Sequence, residues 1–258
     1  MARRIVNYPG ARSRVMINAL GLMKRRRFLP LFTTQFLGAF NDNLFKTSMV
    51  LFATYEIFAD ETQESFFNAL SAALFILPFF ILSALSGQLA DSSDKARIIR
   101  IVKTVEIAIM AVGGAGLLLA RTGAVTLPLV LMLAAVTGLG VHSTFFGPIK
   151  YAILPQHLDE DDVLGGTGLV EAGTYLAILL GTIVAGFVYR SPVLVVLLTL
   201  GAGLLGWLSA RAVPPAPRLG PKLKLDYNPV RASWRLIAGT MHIPVSYTHL
   251  TLPTILRV

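Results

Sequence analysis

The sequence predicts an all-α membrane protein with six transmembrane helices. Two observations carry that expectation. Apolar residues fill 54% of the 258 positions and charged residues only 14%, whereas a soluble domain holds about 45–50% and about 25%. Long uncharged runs also recur: residues 65–90 and 122–149 contain no Asp, Glu, Lys or Arg. Each is long enough for a helix rising 1.5 Å per residue to cross about 30 Å of hydrocarbon. The mean hydropathy of +0.66 agrees. A water-soluble enzyme, a disordered chain and a DNA-binding domain are all poor fits. There is room for six spans of about 20 residues plus loops, and not for twelve.

Residues 1–27 form a basic arm. It holds Arg3, Arg4, Arg12, Arg14 and the run Lys24-Arg25-Arg26-Arg27, with Met16 and Met23 as alternative starts. No apolar core with a small-residue cleavage site precedes the first long helix, so the arm reads as cytoplasmic and not as a removed signal peptide. The spans then follow over residues 28–58, 65–90, 98–120, 122–149, 163–189 and 191–210. The first is interrupted by polar side chains. Glycines such as Gly181 and Gly186 in the fifth span let membrane helices approach closely. The transporter-like unit covers 28–211. A polar, basic segment over 212–244 opens with Pro214-Pro215-Ala216-Pro217 and reads as a hinge or spacer.

Orientation follows from the bases. The arm holds eight. Lys95, Arg97, Arg100 and Lys103 belong to the second loop, Lys150 to the fourth, and six more to the tail after the sixth span. The opposite side holds only Arg121 and Arg190, beside the acidic Glu56, Asp60, Glu61 and Glu64. That asymmetry places both ends in the cytoplasm and accounts for the net charge of +9 without nucleic acid. No cysteine is present, so disulfides and thiolate metal sites are excluded.

Residues 245–258 read differently from the rest. Val245-Ser246-Tyr247-Thr248-His249-Leu250-Thr251-Leu252-Pro253-Thr254 equals one reading frame of a transposase sequencing-library adapter. The block is expected to be an artefact, with the native chain interrupted near Pro244.

Polar residues inside apolar spans carry the functional information, because a charge at mid-bilayer costs about 2.5–3.5 kcal/mol on insertion scales. The first span contains Gln35, Asn41, Asp42, Asn43 and Lys46. Asp42 and Lys46 are four residues apart, on one helical face. They either neutralise each other or, with the flanking amides, form a headgroup or ion site facing a cavity. Glu171 in the fifth span is either a cavity carboxylate or an interfacial, gating or helix-N-terminal one. Glu106 follows Lys103 by three residues and is expected to pair with it. His142, near the end of the fourth span, could titrate, but a lone histidine is more often a packed, hydrogen-bonded residue. No Ser/His/Asp set, metal-spaced His cluster or phosphate loop appears; Gly138-Leu139-Gly140 lies inside a span, the wrong context for a nucleotide turn. Neither catalysis, a metal nor a cofactor is expected.

The loop after the second span runs from Gly87 through Asp91 to Lys95 and Arg97. It resembles the signature loop of the major facilitator superfamily, Gly-x-x-x-Asp-[Arg/Lys]-x-Gly-[Arg/Lys]. There Gly87 would permit close helix approach, Asp91 would cap a helix and pair with a base, and Lys95 and Arg97 would supply the cationic side of a gate. Ser92 stands where the pattern has a base and Asp94 where it has the second glycine, which weakens a full charge relay.

Other segments resemble bacterial lysophospholipid transporters: Gln35-Phe36-Leu37-Gly38-Ala39-Phe40-Asn41-Asp42-Asn43 their first helix, Gly147-Pro148-Ile149-Lys150-Tyr151-Ala152-Ile153-Leu154 their loop after helix four, and Gly168-Leu169-Val170-Glu171-Ala172 with Ala177-Ile178-Leu179-Leu180-Gly181 their fifth helix. The likeness spans about residues 28–210. It is especially close to the transporter portion of proteins fused to an acyltransferase and an acyl-activating enzyme.

The resemblance implies the first six helices of a twelve-helix transporter in the bacterial inner membrane, moving lysophospholipid by alternating access for re-acylation. It places substrate at Gln35, Asn41, Asp42, Asn43, Lys46 and Glu171, and gating at Gly87, Asp91, Lys95, Arg97 and Lys150. The implied partners are membrane lipid, a second six-helix half and an acyltransferase, fused or separate. A general exporter of drugs or metabolites and a membrane platform for fused enzymes are the alternatives; the fifth span lacks the Gly-Pro motif of drug–proton antiporters.

Overall fold

Helix starts and stops in this chain are set by local chemistry. In the computed structural model, which describes residues 21–218 and beyond them only positions 228, 231, 234, 238 and 239, seven helices follow one another among the described residues. Helix α1 is Leu29–Phe52 and runs on through a π turn, Ala53–Ile57, closed by the Phe58 N–H donating to the Ala53 carbonyl at 3.0 Å. Then come α2, Glu61–Ser92; α3, Lys95–Ala120; α4, Thr126–Ala152; the short α5, Leu154–His157; α6, Glu160–Val188; and α7, Pro192–Arg211. Asp60 caps α2 by accepting from the Thr62 N–H at 3.0 Å, with Glu61 and Glu64 in the first turn favoured by the helix dipole. Pro30 and Pro192 open α1 and α7, where a missing N–H costs nothing. Gly123, at φ +83°, makes the turn between α3 and α4 that a side chain would resist.

Each of the six expected spans coincides with a long helix. Five of them (α2, α3, α4, α6 and α7) are long and apolar enough to cross a membrane. Helix α1 is as long, at 24 residues, but Gln35, Asn41–Asn43 and Lys46 lower its hydropathy. The bundle's exterior is apolar, as Phe80 on α2 and Phe187 on α6 illustrate with 76% and 84% exposure. Water does not tolerate such a surface at this extent, and lipid does. The chain is a multi-pass helical membrane protein. The adapter-like block 245–258, most of the basic arm and most of the tail lie outside the described residues.

Five bases expected in loops are instead helical: Lys95, Arg97, Arg100 and Lys103 in α3 and Lys150 in α4. Lys103 is a fully buried residue of α3, and Lys150 sits in the last turn of α4. The end charge asymmetry therefore rests on one base fewer, since Lys103 has left the basic end for the interior.

Contacts between helices follow a repeated plan. Helix α1 packs along α6 and α7; helix α4 packs along α2 and α3; α3 also meets α7. Exchanging α1 with α4, α2 with α6 and α3 with α7 leaves that contact pattern unchanged. Two three-helix units are thus joined through α3 and α7, with α1 and α4 in corresponding places. Helices α1 and α4 also touch each other, over a shorter length.

Small residues set the close crossings. Gly181 on α6 lies against the Phe40 carbonyl of α1, Gly140 on α4 against the Phe75 carbonyl and Pro78 ring of α2, and Gly116 on α3 against the Pro128 carbonyl of α4. Gly186, expected to do the same, faces open space. The core is divided in two: one apolar cluster at the basic end around Phe28, Ile99, Ile149 and Val170, another at the far end around Phe45, Met110, Met132 and Val195.

The Pro-rich segment after α7 is not a free spacer. Val213 and Ala216 are buried, at 1% exposure each. Arg100 Nη2 donates to the Val213 carbonyl at 3.0 Å, and the Lys95 N–H donates to the Ala216 carbonyl at 3.0 Å. The Ala216 N–H donates in turn to Asp94 Oδ1 at 3.3 Å. With its side-chain amide oriented to satisfy both neighbours, Gln156 of α5 accepts from Lys95 Nζ at 3.0 Å and donates to the Pro217 carbonyl at 3.2 Å. Arg25 pairs with Asp162 at 2.8 Å and Asp159 at 3.4 Å, fastening the end of the arm to the start of α6. His157, buried beside this docked segment, has its pKa pushed down by burial against the smaller opposing pull of the Pro215 and Arg27 backbone.

Two outcomes follow from this packing. Gly140→Ala should destabilise by about 1–3 kcal/mol, because its Cβ would meet backbone, while Gly186→Ala should not; thermal unfolding in detergent reads both. For His157, whose folded pKa lies below the unfolded value, the unfolded chain takes the proton first. Stability is full above about pH 6.5 and falls as pH drops below it. Unfolding temperatures between pH 7.5 and 5.5 should show that loss, and His157→Gln should flatten part of it.

Candidate functional site

Charged and amide side chains that have no place in hydrocarbon converge between α1, α3 and α4. Lys103 Nζ is paired with Glu106 Oε2, one turn along α3, and both side chains are 0% exposed. This is the local pair the spacing predicts. Two more helices complete it. Asn41 Nδ2 of α1 donates to Glu106 Oε1 at 2.8 Å, and His142 Nε2 of α4 stands 3.1 Å from Glu106 Oε2. His142 is therefore no isolated core histidine; it shares the glutamate. Lys103 fits only because two helices offer glycine: a Cβ at Gly38 of α1 would stand 2.7 Å from its Nζ, and one at Gly206 of α7 3.3 Å. Four helices thus close around one ammonium group.

Asp42 lies on the same level. It is 8% exposed, and Ser143 Oγ of α4 donates to its Oδ2 at 2.8 Å. Of the two readings of Asp42 and Lys46, mutual neutralisation is not what the geometry shows: no ion pair within 4 Å joins them. Lys46 Nζ lies 4.4 Å from the centroid of the Phe75 ring on α2. The i,i+4 spacing put both on one face, but each side chain found a partner on a different neighbouring helix. Among the described residues, Asn43 bonds within its own helix, donating to the Ala39 carbonyl at 2.8 Å.

A second polar group lies closer to the basic end. Thr174 Oγ1 of α6 contacts Gln35 Oε1 at 2.8 Å, Gln35 Nε2 donates to the Val170 carbonyl at 3.3 Å, and Lys150 Nζ donates to Thr174 Oγ1 at 3.3 Å. Tyr151 donates its hydroxyl to Glu171 Oε1. Gln35, Lys150 and Glu171, drawn from three motifs, thus come together at one crossing of α1, α4 and α6.

The signature-loop residues take other roles. A Cβ at Gly87 would meet nothing within 4 Å, so Gly87 does not serve close approach. Asp91 is exposed in the last turn of α2 and caps nothing. The cap of α3 is Asp94, whose Oδ1 accepts from the Ala96 and Arg97 N–H groups at 2.9 and 3.2 Å. The residue that departs from the glycine pattern therefore supplies the cap. Lys95 is buried against the docked tail, and Arg97 is exposed at the rim of an apolar cavity of about 590 Å³ between α2, α3 and α4. Among the described residues, no group of three His, Asp or Glu side chains has metal-site geometry.

An apolar helical bundle with an ionised-type cluster at its centre defines a class: a polytopic membrane protein with an internal polar site. No family profile matches the chain. It is similar to the lysophospholipid transporter LplT of Salmonella heidelberg (strain SL476), with 28% identity over 212 residues, which is 82% of this chain and 46% of the relative. The proteins of the same name from Salmonella newport (strain SL254) and Salmonella enteritidis PT4 align with the same identity and coverage. The chain spans about half the length of these curated relatives. These relatives are transporters by name, not enzymes.

Removing one partner of a buried ion pair typically costs about 3–5 kcal/mol, while replacing both with apolar groups costs far less. Lys103→Met alone should accordingly destabilise more than the Lys103→Met/Glu106→Met double variant. Unfolding in detergent, run as a double-mutant cycle, checks it.

Proposed function

We propose that these helices are the N-terminal six-helix half of a major facilitator transporter that moves lysophospholipid across the bacterial inner membrane. The observation that carries this reading is the 28% identity to lysophospholipid transporters, sustained over 212 residues. The exchange symmetry of the helix contacts supports it. Major facilitator halves are built from nested three-helix inverted repeats, and three is an odd number of crossings, so repeated units run in opposite directions. The remaining bases at the end where α1 begins, against Arg121 and Arg190 opposite, support both ends of the bundle facing the cytoplasm.

On this reading α1 and α4, the equivalent helices of the two units, present Asn41, Asp42 and Ser143 to a midplane site shared with a second six-helix half. The two halves rock about it in alternating access. The Gln35–Thr174–Lys150 and Tyr151–Glu171 contacts lie on the cytoplasmic side, where breaking and remaking them would gate the path. Arg97 and Asp91 would contribute charge at that rim. An acyltransferase, fused or separate, would consume the delivered lipid.

The test is uptake of a fluorescent lysophosphatidylethanolamine into proteoliposomes. This chain alone should give none. Joined to a second six-helix half recovered from the source DNA, it should protect the probe from an external quencher. A full-length product that moves drugs or metabolites and not lysophospholipid overturns the reading.

A further inference from the structure

Helices α1 and α2 scarcely touch. In the half of the bundle away from the basic end, a cavity of about 400 Å³ lies between them. Its polar wall is Lys46, Thr47, Asn68 and Ser71; Phe75 and Ile76 close the apolar side. Three features of that wall are unexplained by the fold alone. Lys46 stands over the Phe75 ring, while the carboxylate one turn away, Asp42, is turned to Ser143. Ser71 is 1% exposed and its Oγ has no hydrogen-bond partner. Thr137, Thr167 and Thr199 donate to the carbonyl four residues back; Ser71, like Thr34 and Ser48 on α1, does not, and of these three only Ser71 lines the cavity. Asn68 Oδ1 is likewise buried and unpartnered.

Burying polar groups without partners costs free energy, and so does holding an ammonium group in a membrane interior without an ion-pair partner. One ligand relieves all three: an anion whose oxygens face Lys46 and Ser71 and which carries a neighbouring hydroxyl that donates to Asn68 Oδ1. Lys46 repels a cation. The apolar wall and the gap between α1 and α2 admit a chain from the bilayer. The volume takes a glycerophosphate head and not two acyl chains as well.

We propose that Lys46 and Ser71 form a phosphate subsite for a single-chain phospholipid, with Asn68 Oδ1 accepting from its free glycerol hydroxyl, separate from the Asn41–Asp42 cluster. This rests on the lysophospholipid reading and adds the α2 residues that would hold the headgroup, Ser71 at the phosphodiester and Asn68 at the glycerol hydroxyl. The ligand enters between α1 and α2 on the side away from the basic end, and the phosphate supplies the paired counter-charge that Asp42, turned to Ser143, does not give Lys46.

Native mass spectrometry of the full chain, released from maltoside micelles, tests it with palmitoyl lysophosphatidylglycerol against palmitoyl monoacylglycerol. The phosphate lipid should be retained in preference to the phosphate-free one. Lys46→Met and Ser71→Ala should each lower its retention by about tenfold, the scale of one lost charge-assisted contact. Lys46→Arg should keep it, and Arg121→Gln, exposed at the same end, should leave it unchanged. Equal retention of monoacylglycerol, or retention indifferent to both Lys46→Met and Ser71→Ala, overturns the subsite. Equal, Lys46-dependent retention of diacyl phosphatidylglycerol overturns the single-chain occupant. Lys46-dependent lysolipid retention in a full-length protein that fails to transport lysolipid upholds the subsite and overturns only the transport reading.

Discussion

Glu106 decides how this bundle is put together. A carboxylate with no exposure must be met on every side, and the groups that meet it come from α1, α3 and α4: Asn41, Lys103 and His142. Lys103 in turn needs room, which Gly38 and Gly206 give it. The contact between α1 and α4 is short, yet the chemistry is concentrated near it. The apolar surfaces around it would accept many arrangements; the buried charge accepts very few. That is how a polar cluster of modest net stability fixes the register of four helices.

Much of the architecture was legible in advance, for a plain physical reason. Uncharged runs of span length have few alternatives to a helix, so residues 65–90 fell inside α2 and all but the first four of 122–149 inside α4. The Lys103–Glu106 pair was legible too, since a three-residue spacing fixes neighbours within one helix. What spacing left open lay beyond one helix. Asp42 and Lys46 share a face, but which neighbour each turns to depends on α2 and α4, which no spacing in α1 encodes. Likewise His142 gave no sign of Glu106, thirty-six residues earlier, because the α3–α4 crossing that joins them is set by glycines such as Gly116 on α3 and Gly138 on α4, not by any spacing between the two.

The loop after α2 shows the same limit from another side. A pattern match assigns roles by position, and by position Asp91 should cap and Gly87 should pack. The capping site went to Asp94 because the chain turns there, with Asp94 in an extended conformation whose carboxylate reaches two N–H groups of α3. Asp at a helix start is a local preference; reading Asp94 as a replaced glycine concealed it.

The docked tail has a mechanical meaning. The chain leaves α7, then lies across the start of α3, tied to Asp94, Lys95 and Arg100 before it continues. Whatever follows residue 217 is thus hitched to the α2–α3 turn and not merely to the end of α7. Such a hitch works as a tow-bar: a tilt of α3 pulls on the onward chain, and a pull on that chain is felt first at the turn between α2 and α3.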